Sequence, residues 1–178
     1  YFKLQSPDSR AVLQRERHGT LFADVERQLD LYLRALWRDN DLLVPYSTAF
    51  DELRKPIPYY DKLGMRVPDV LDDANGVSGL DRYRAVLAHM VGHRRWSKPQ
   101  IADNWSPFQR MAVEFFEDCR IETLLMREYP GLRRIFLALH PKPVESACDP
   151  ETTSCLRHRL AMLSRALLDP AHGYGDQD

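Results

Sequence analysis

Ser78-Gly79-Leu80-Asp81-Arg82-Tyr83-Arg84-Ala85-Val86-Leu87-Ala88-His89-Met90-Val91-Gly92-His93-Arg94-Arg95 is the stretch on which the reading of this chain turns. Ser78 opens a capping box with Asp81 in its third position, so a helix is expected from there to about Arg95. On a helix, residues four apart share a face, which puts His89 and His93 about one turn from each other. That is the spacing of the zinc-metallopeptidase signature His-Glu-x-x-His, where both imidazoles bind zinc and the glutamate is general base. Here Met90 occupies the glutamate position. A thioether cannot take a proton from a zinc-bound water, and loss of a positioned base costs roughly 10²–10⁴ in rate. Hydrolysis by this site is therefore not expected, and the chain reads as a non-enzyme. Metal binding survives the argument. Gly92 leaves room for close packing against a neighbouring helix.

A zinc site needs at least a third protein ligand. The candidates lie downstream, in Glu114-Phe115-Phe116-Glu117-Asp118-Cys119-Arg120-Ile121-Glu122. Four carboxylates and a thiol in an otherwise apolar helix are costly to bury unpaired. Their cation is either a metal, with His89, His93, Glu117 and Asp118 as its ligand set, or the arginines Arg94, Arg95, Arg110 and Arg120. In the second reading the histidines are core residues hydrogen-bonded to Glu117 or Asp118, and the charges form an ion-pair lattice. Both readings stay open at this point. Trp96, Trp105 and Phe108, between the two helices, read as core and loop anchors. The pairs Arg94-Arg95 and Arg133-Arg134 read as paired or solvated faces.

Working outward, Ser106-Pro107 repeats the cap, with proline in the first turn of a long helix, Pro107 to Tyr129, that stops at Pro130-Gly131. Leu132 to about Leu139 is a short helix, with His140 at its C-terminal end. Glu151 to Leu168 is the last helix, with Leu156, Leu160, Leu163 and Leu167 as its apolar stripe. Upstream, Phe22, Val25, Leu29, Tyr32 or Leu33, and Leu36 give helical periodicity from Thr20, a plausible cap, to Trp37. Asp8 to His18 fits a preceding helix. Pro45, Pro56, Pro58 and Pro68 break residues 38–76, leaving a short helix around Ser47 to Arg54, an edge strand at Gly64 to Pro68 and a turn at Asp72 to Gly76. The expected fold is one mainly helical domain over 1–178, of about six to seven helices with one short edge strand or hairpin. Residues 171–178 form a tail.

The 178 residues carry 25 basic and 26 acidic side chains, a formal net charge of −1, which disfavours nucleic acid as a partner. Twenty of the 25 basic residues are arginine, the better residue for ion pairs between helices. No apolar run reaches the ~18 residues of a membrane span. Three cysteines, Cys119, Cys148 and Cys155, give an odd number with no close pair. A reduced cytoplasmic compartment is the simpler reading, with a Cys148–Cys155 bridge as the alternative. P-loop, nucleophile-elbow, Cys-x-x-Cys and dinucleotide fingerprints do not occur. His18, His140, His158 and His172 have no partner at metal spacing. The chain begins at Tyr1 and ends on a polar run, and it reads as a piece of a longer protein.

Four stretches carry a family resemblance: Tyr83 to His89 with His93 following, Phe116-Glu117-Asp118-Cys119-Arg120-Ile121-Glu122, Pro130-Gly131-Leu132-Arg133-Arg134, and Cys155-Leu156-Arg157-His158-Arg159-Leu160. At these residues, and over roughly residues 30–170, the chain resembles the family of the nitric oxide reductase activation protein NorD and the rubisco activase subunit CbbO. The resemblance implies a partner, a hexameric MoxR-type AAA+ ATPase of the CbbQ or NorQ kind. It also implies an adaptor role, presenting a target enzyme (rubisco or nitric oxide reductase) for remodelling. It further implies a degenerate zincin-like helical region whose peptidase chemistry is lost, with zinc as the one cofactor in question. The family's von Willebrand factor A domain, with its Asp-x-Ser-x-Ser metal motif, has no counterpart in this sequence.

Overall fold

Helix α1 (Phe22–Trp37) leaves directly from strand β1 (Thr20–Leu21) in the computed structural model, which describes residues 19–48, 57–142 and 155–172. Contrary to the sequence reading, Thr20 is not the cap. It pairs with Leu71 of strand β5 (Val70–Leu71), and the N–H of Phe22 donates to the Asp69 carbonyl at 2.9 Å. Phe22, Val25, Leu29 and Leu33 form the buried stripe, with Tyr32 only half-buried. Leu36, on the same face one residue before the helix ends, is exposed.

Strands β2 (Leu43–Tyr46), β3 (Tyr59–Asp61) and β4 (Gly64–Pro68) make a three-stranded sheet in the order β2-β4-β3. Gly64 to Pro68 is thus a strand, but the central one and not an edge. It runs parallel to β2, with Leu43 opposite Met65, and antiparallel to β3, with Tyr60 opposite Met65. Pro68 is compatible with this place because the β3 ladder ends at Arg66, so the missing N–H breaks no bond there. Met65 and Val67 alternate into the core. Asn75 and Gly76 both have positive φ, 53° and 74°, the primed turn that closes the reciprocal bonds between Ala74 and Val77.

Ser78 then accepts from the Asp81 N–H at 3.2 Å and starts helix α2 (Gly79–Trp96). Tyr83, wholly buried, meets Phe22 edge-on and donates its hydroxyl to the Pro68 carbonyl at 2.9 Å. The chain groups into two compact units, Tyr1–Met90 and Val91–Asp178, with the division falling inside α2, where the sequence reads as one domain.

The second unit contains α3 (Pro107–Glu128), α4 (Leu132–Leu139), α5 (Leu156–Leu168) and a 3₁₀ turn, Pro170–His172. A full capping box, Ser106 with Gln109, starts α3 as expected. The described residues hold five helices and two small sheets, so the chain is mainly helical. The helix expected at Asp8 to His18, most of that at Ser47 to Arg54, and the first residues of that at Glu151 to Leu168 lie outside the described residues. So does the tail from residue 173.

The α5 stripe needs correction. Leu163 and Leu167 are exposed, and the buried face is Leu160, Ser164, Arg165 and Leu168. A buried arginine hides this face from a hydrophobicity pattern, because its burial depends on partners elsewhere: the Leu137 carbonyl and Asp169. Cys119 is a buried free thiol, whereas Cys155 is disulfide-bonded to a partner outside the described residues. For Cys155 the bridged alternative is thus the one found. No described helix is long and apolar enough to cross a membrane.

Candidate functional site

Helices α2 and α3 can approach closely because Gly92 presents no side chain. A Cβ placed there would stand 2.6 Å from Ile121 Cγ2 and 3.1 Å from Leu125 Cδ1. The next residue, His93, begins the last turn of α2, and its ring is held at both nitrogens. Nε2 donates to Asp118 Oδ1 at 3.0 Å, and Nδ1 lies 2.9 Å from Ser97 Oγ. Ser97 Oγ in turn donates to Glu117 Oε1 at 2.5 Å. Ser97 thereby links the His93 ring to the Glu117 carboxylate.

Glu117 is held from its other side by Arg120, whose Nε and Nη2 donate at 2.8 and 2.6 Å. The same guanidinium reaches the Trp96 carbonyl at the end of α2 at 2.9 Å. Arg120 lowers the Glu117 carboxyl to about 2, with the Ser97 hydroxyl and the His93 charge helping against a partial burial that opposes it. Because the folded value lies below the ordinary 4.5, this pairing contributes stability fully above pH 4.5 and loses it as pH falls through about 2. Screening at the half-exposed Arg120 reduces that contribution to about 1 kcal/mol. Glu117→Gln is expected to cost about that much at pH 7 and to flatten the stability profile between pH 4.5 and 2, read from urea midpoints.

The residues nominated from sequence thus divide. His93 and Asp118 are brought together, at 3.0 Å, and His89 lies on the same helix as His93, in the other unit. Glu117 is not part of that pair; its oxygens face Arg120 and Ser97. Met90 is buried. Among the arginines, Arg120 serves Glu117, and Arg95 pairs with Glu128 at 3.3 Å while lying over the Trp96 ring. Arg133 pairs with Asp169 at 3.0 Å. Phe108, read as a core anchor, is exposed.

Two participants escaped the sequence reading. Ser97 carries no motif, and only its place one turn after His93 could have flagged it. Ser164 joins Cys119 to His140: the thiol donates to its oxygen at 3.2 Å, and the hydroxyl makes a short bond to His140 Nε2, while His140 Nδ1–H donates to the Pro141 carbonyl. His140 does end α4, as expected, but its ring has this second task. Burial, opposed by the Ser164 hydrogen bond, raises the Cys119 thiol above its ordinary value.

With the geometry in hand, comparison with known proteins adds no relative: no family model matches the chain, and neither does any curated protein or solved structure.

Proposed function

We propose that this chain is a non-catalytic adaptor domain of a MoxR-type AAA+ ATPase system that remodels a target enzyme, rubisco or nitric oxide reductase. The four stretches that resemble the NorD and CbbO family give the partner class. One structural observation carries the non-catalytic half of the reading. The base position of the His-x-x-x-His helix holds a buried methionine, and the glutamate beside His93 is held by three donors from Arg120 and Ser97. A carboxylate so engaged, with its pKa at about 2, is a poor proton acceptor at neutral pH. Cytoplasmic residence belongs to the same proposal, and a disulfide at Cys155 that persists in protein from the reducing cytoplasm would count against it. Co-purification tests the reading. The chain is expected to retain a CbbQ- or NorQ-like hexamer through size exclusion, with no peptidase activity. Failure to retain any such hexamer rejects it.

A second reading, a zincin-like metal-binding domain, is favoured by the His89-x-x-x-His93 spacing on one helix and by the approach of Asp118 to His93 at 3.0 Å. The donor set, two imidazoles and a carboxylate, suits zinc. Ligands at about 2.1 Å from one zinc stand roughly 3.4 Å apart, so His93 Nε2 and Asp118 Oδ1, 3.0 Å apart, would have to open slightly. Zinc must also displace the proton that His93 Nε2 shares with Asp118. Protein purified without chelators is expected to contain one zinc per chain if this reading holds. In that case His93→Ala lowers affinity by more than about tenfold, as loss of a ligand should exceed the ~10–100-fold cost of an outer-sphere change. Absence of stoichiometric zinc removes the reading.

A further inference from the structure

The segment that leaves α2 and returns as α3 does not lie flat on the protein. With one face of α3 it walls a cleft of about 640 Å³, whose lining includes Trp96, Lys98, Trp105, Phe116, Glu117 and Arg120. Val113, Phe116, Glu117 and Arg120 stand at i, i+3, i+4 and i+7, so one helix face supplies the α3 side of the cleft. That face has two halves. Its C-terminal half is closed by the bonds of Glu117 with Arg120 and Ser97. Its N-terminal half is open: Val113 is 42% and Phe116 45% exposed. Scattered exposed apolar residues need no explanation, but these adjoin two indoles around a concavity, the kind of surface that marks a binding site.

Charge narrows the occupant. The cleft's one carboxylate, Glu117, already accepts from three donors and has little left for a cationic guest. Arg120 is committed to Glu117 and to the Trp96 carbonyl. Lys98 has no ion-pair or hydrogen-bond partner among the described residues. The open part of the cleft therefore offers aromatic walls and one unneutralised cation. We infer that it binds a short peptide segment of a partner protein in which a large apolar or aromatic side chain lies next to an Asp or Glu. The apolar side chain enters between Phe116 and the two indoles, and the carboxylate reaches Lys98. The volume lies within the ~300–1,000 Å³ of sites that take several groups at once, which suits about two or three side chains of a peptide. The cleft can take such a segment whether or not the chain is an adaptor or binds a metal.

Panning a randomised octapeptide display library on the immobilised chain tests this without ATPase, target or zinc. Recovered peptides are expected to place Phe, Tyr, Leu or Ile within two positions of Asp or Glu. Trp96 and Trp105 are two of the three tryptophans, so a recovered peptide lacking tryptophan should also shift the intrinsic emission on binding. Phe116→Asp, a change at an exposed site, should abolish recovery while leaving the far-ultraviolet circular dichroism unchanged. Lys98→Glu should weaken a recovered acidic peptide by about five- to tenfold, exchanging a weak attraction for a like-charge repulsion. Panned afresh, it should recover basic peptides in place of acidic ones. Absence of enrichment, enrichment with no acidic preference, or equal capture by Phe116→Asp and the unaltered chain each overturns the inference. Success here alongside a failed hexamer co-purification would leave the cleft standing and remove only the adaptor reading.

Discussion

Arg165→Ala is expected to lower the free energy of unfolding by about 3–5 kcal/mol, the range for removing one partner from a buried charge network. Arg165, in the last turn of α5, is only 5% exposed. Its Nη1 donates to the Leu137 carbonyl at 2.6 Å near the end of α4, and Nη2 donates to Asp169 Oδ2 at 3.0 Å. Asp169 is also held by Arg133 at 3.0 Å, so one carboxylate gathers side chains from two helices. Truncation leaves the Leu137 carbonyl without this donor, leaves Asp169 with Arg133 alone, and opens a void where the arginine stem lay. Lysine should recover part of the loss, since it restores the charge but not the fork that reaches two acceptors at once. Urea denaturation at constant m-value reads the effect. A loss under about 1 kcal/mol would mean that Arg165 contributes no more than an exposed pair.

Gly92→Val should cost about 3 kcal/mol, at the upper end of ordinary overpacking, because its Cβ would start 2.6 Å from Ile121 Cγ2 and its branches would extend toward Leu125. Gly92→Ala sets two terms against each other. It gains about 1 kcal/mol of helix propensity and loses ~1–3 kcal/mol to the same contact. Its net loss should therefore fall below about 2 kcal/mol. Ile121→Val shortens the opposing side chain, and in a double-mutant cycle with Gly92→Ala it should show coupling above about 0.5 kcal/mol. Strict additivity would mean that the two helices separate to relieve the clash.

The helices could be read from the sequence because their signals are local. Ser106-Pro107 with Gln109, Pro130-Gly131 after α3 and the stripe Phe22-Val25-Leu29-Leu33 each act within one or two turns. Of the strands only Gly64–Pro68 could be read, and not its central place, since β2, β3 and β5 are two to four residues long and exist through pairing with distant segments. Thr20 illustrates the override: a good cap by type, it is drawn into a ladder with Leu71, 51 positions away. Arg165 shows the same limit in the core, where partners on other elements decide burial. At the candidate site the shared face of His89 and His93 was legible from helical spacing, whereas Glu117 and Asp118 stood as equal candidates. The assignment of Glu117 to Arg120 was not legible, because metal and guanidinium satisfy a carboxylate equally well on paper. Only the distances from Ser97 and Arg120 separate them.

The Cys119–Ser164–His140 chain gives the second unit a clock. Cys119 is the free thiol among the described residues, it is buried, and its proton is engaged by Ser164. A thiol-specific reagent reacts with the exposed thiolate, and burial holds this group in the protonated state. Modification must therefore wait for the packing of α3 against α5 to open. In the limit of excess reagent, the labelling rate becomes the opening rate of that packing, and at low reagent it becomes a measure of the open population. Variants at Arg165 or Ser164 should then alter the tempo of labelling before they alter any equilibrium melt.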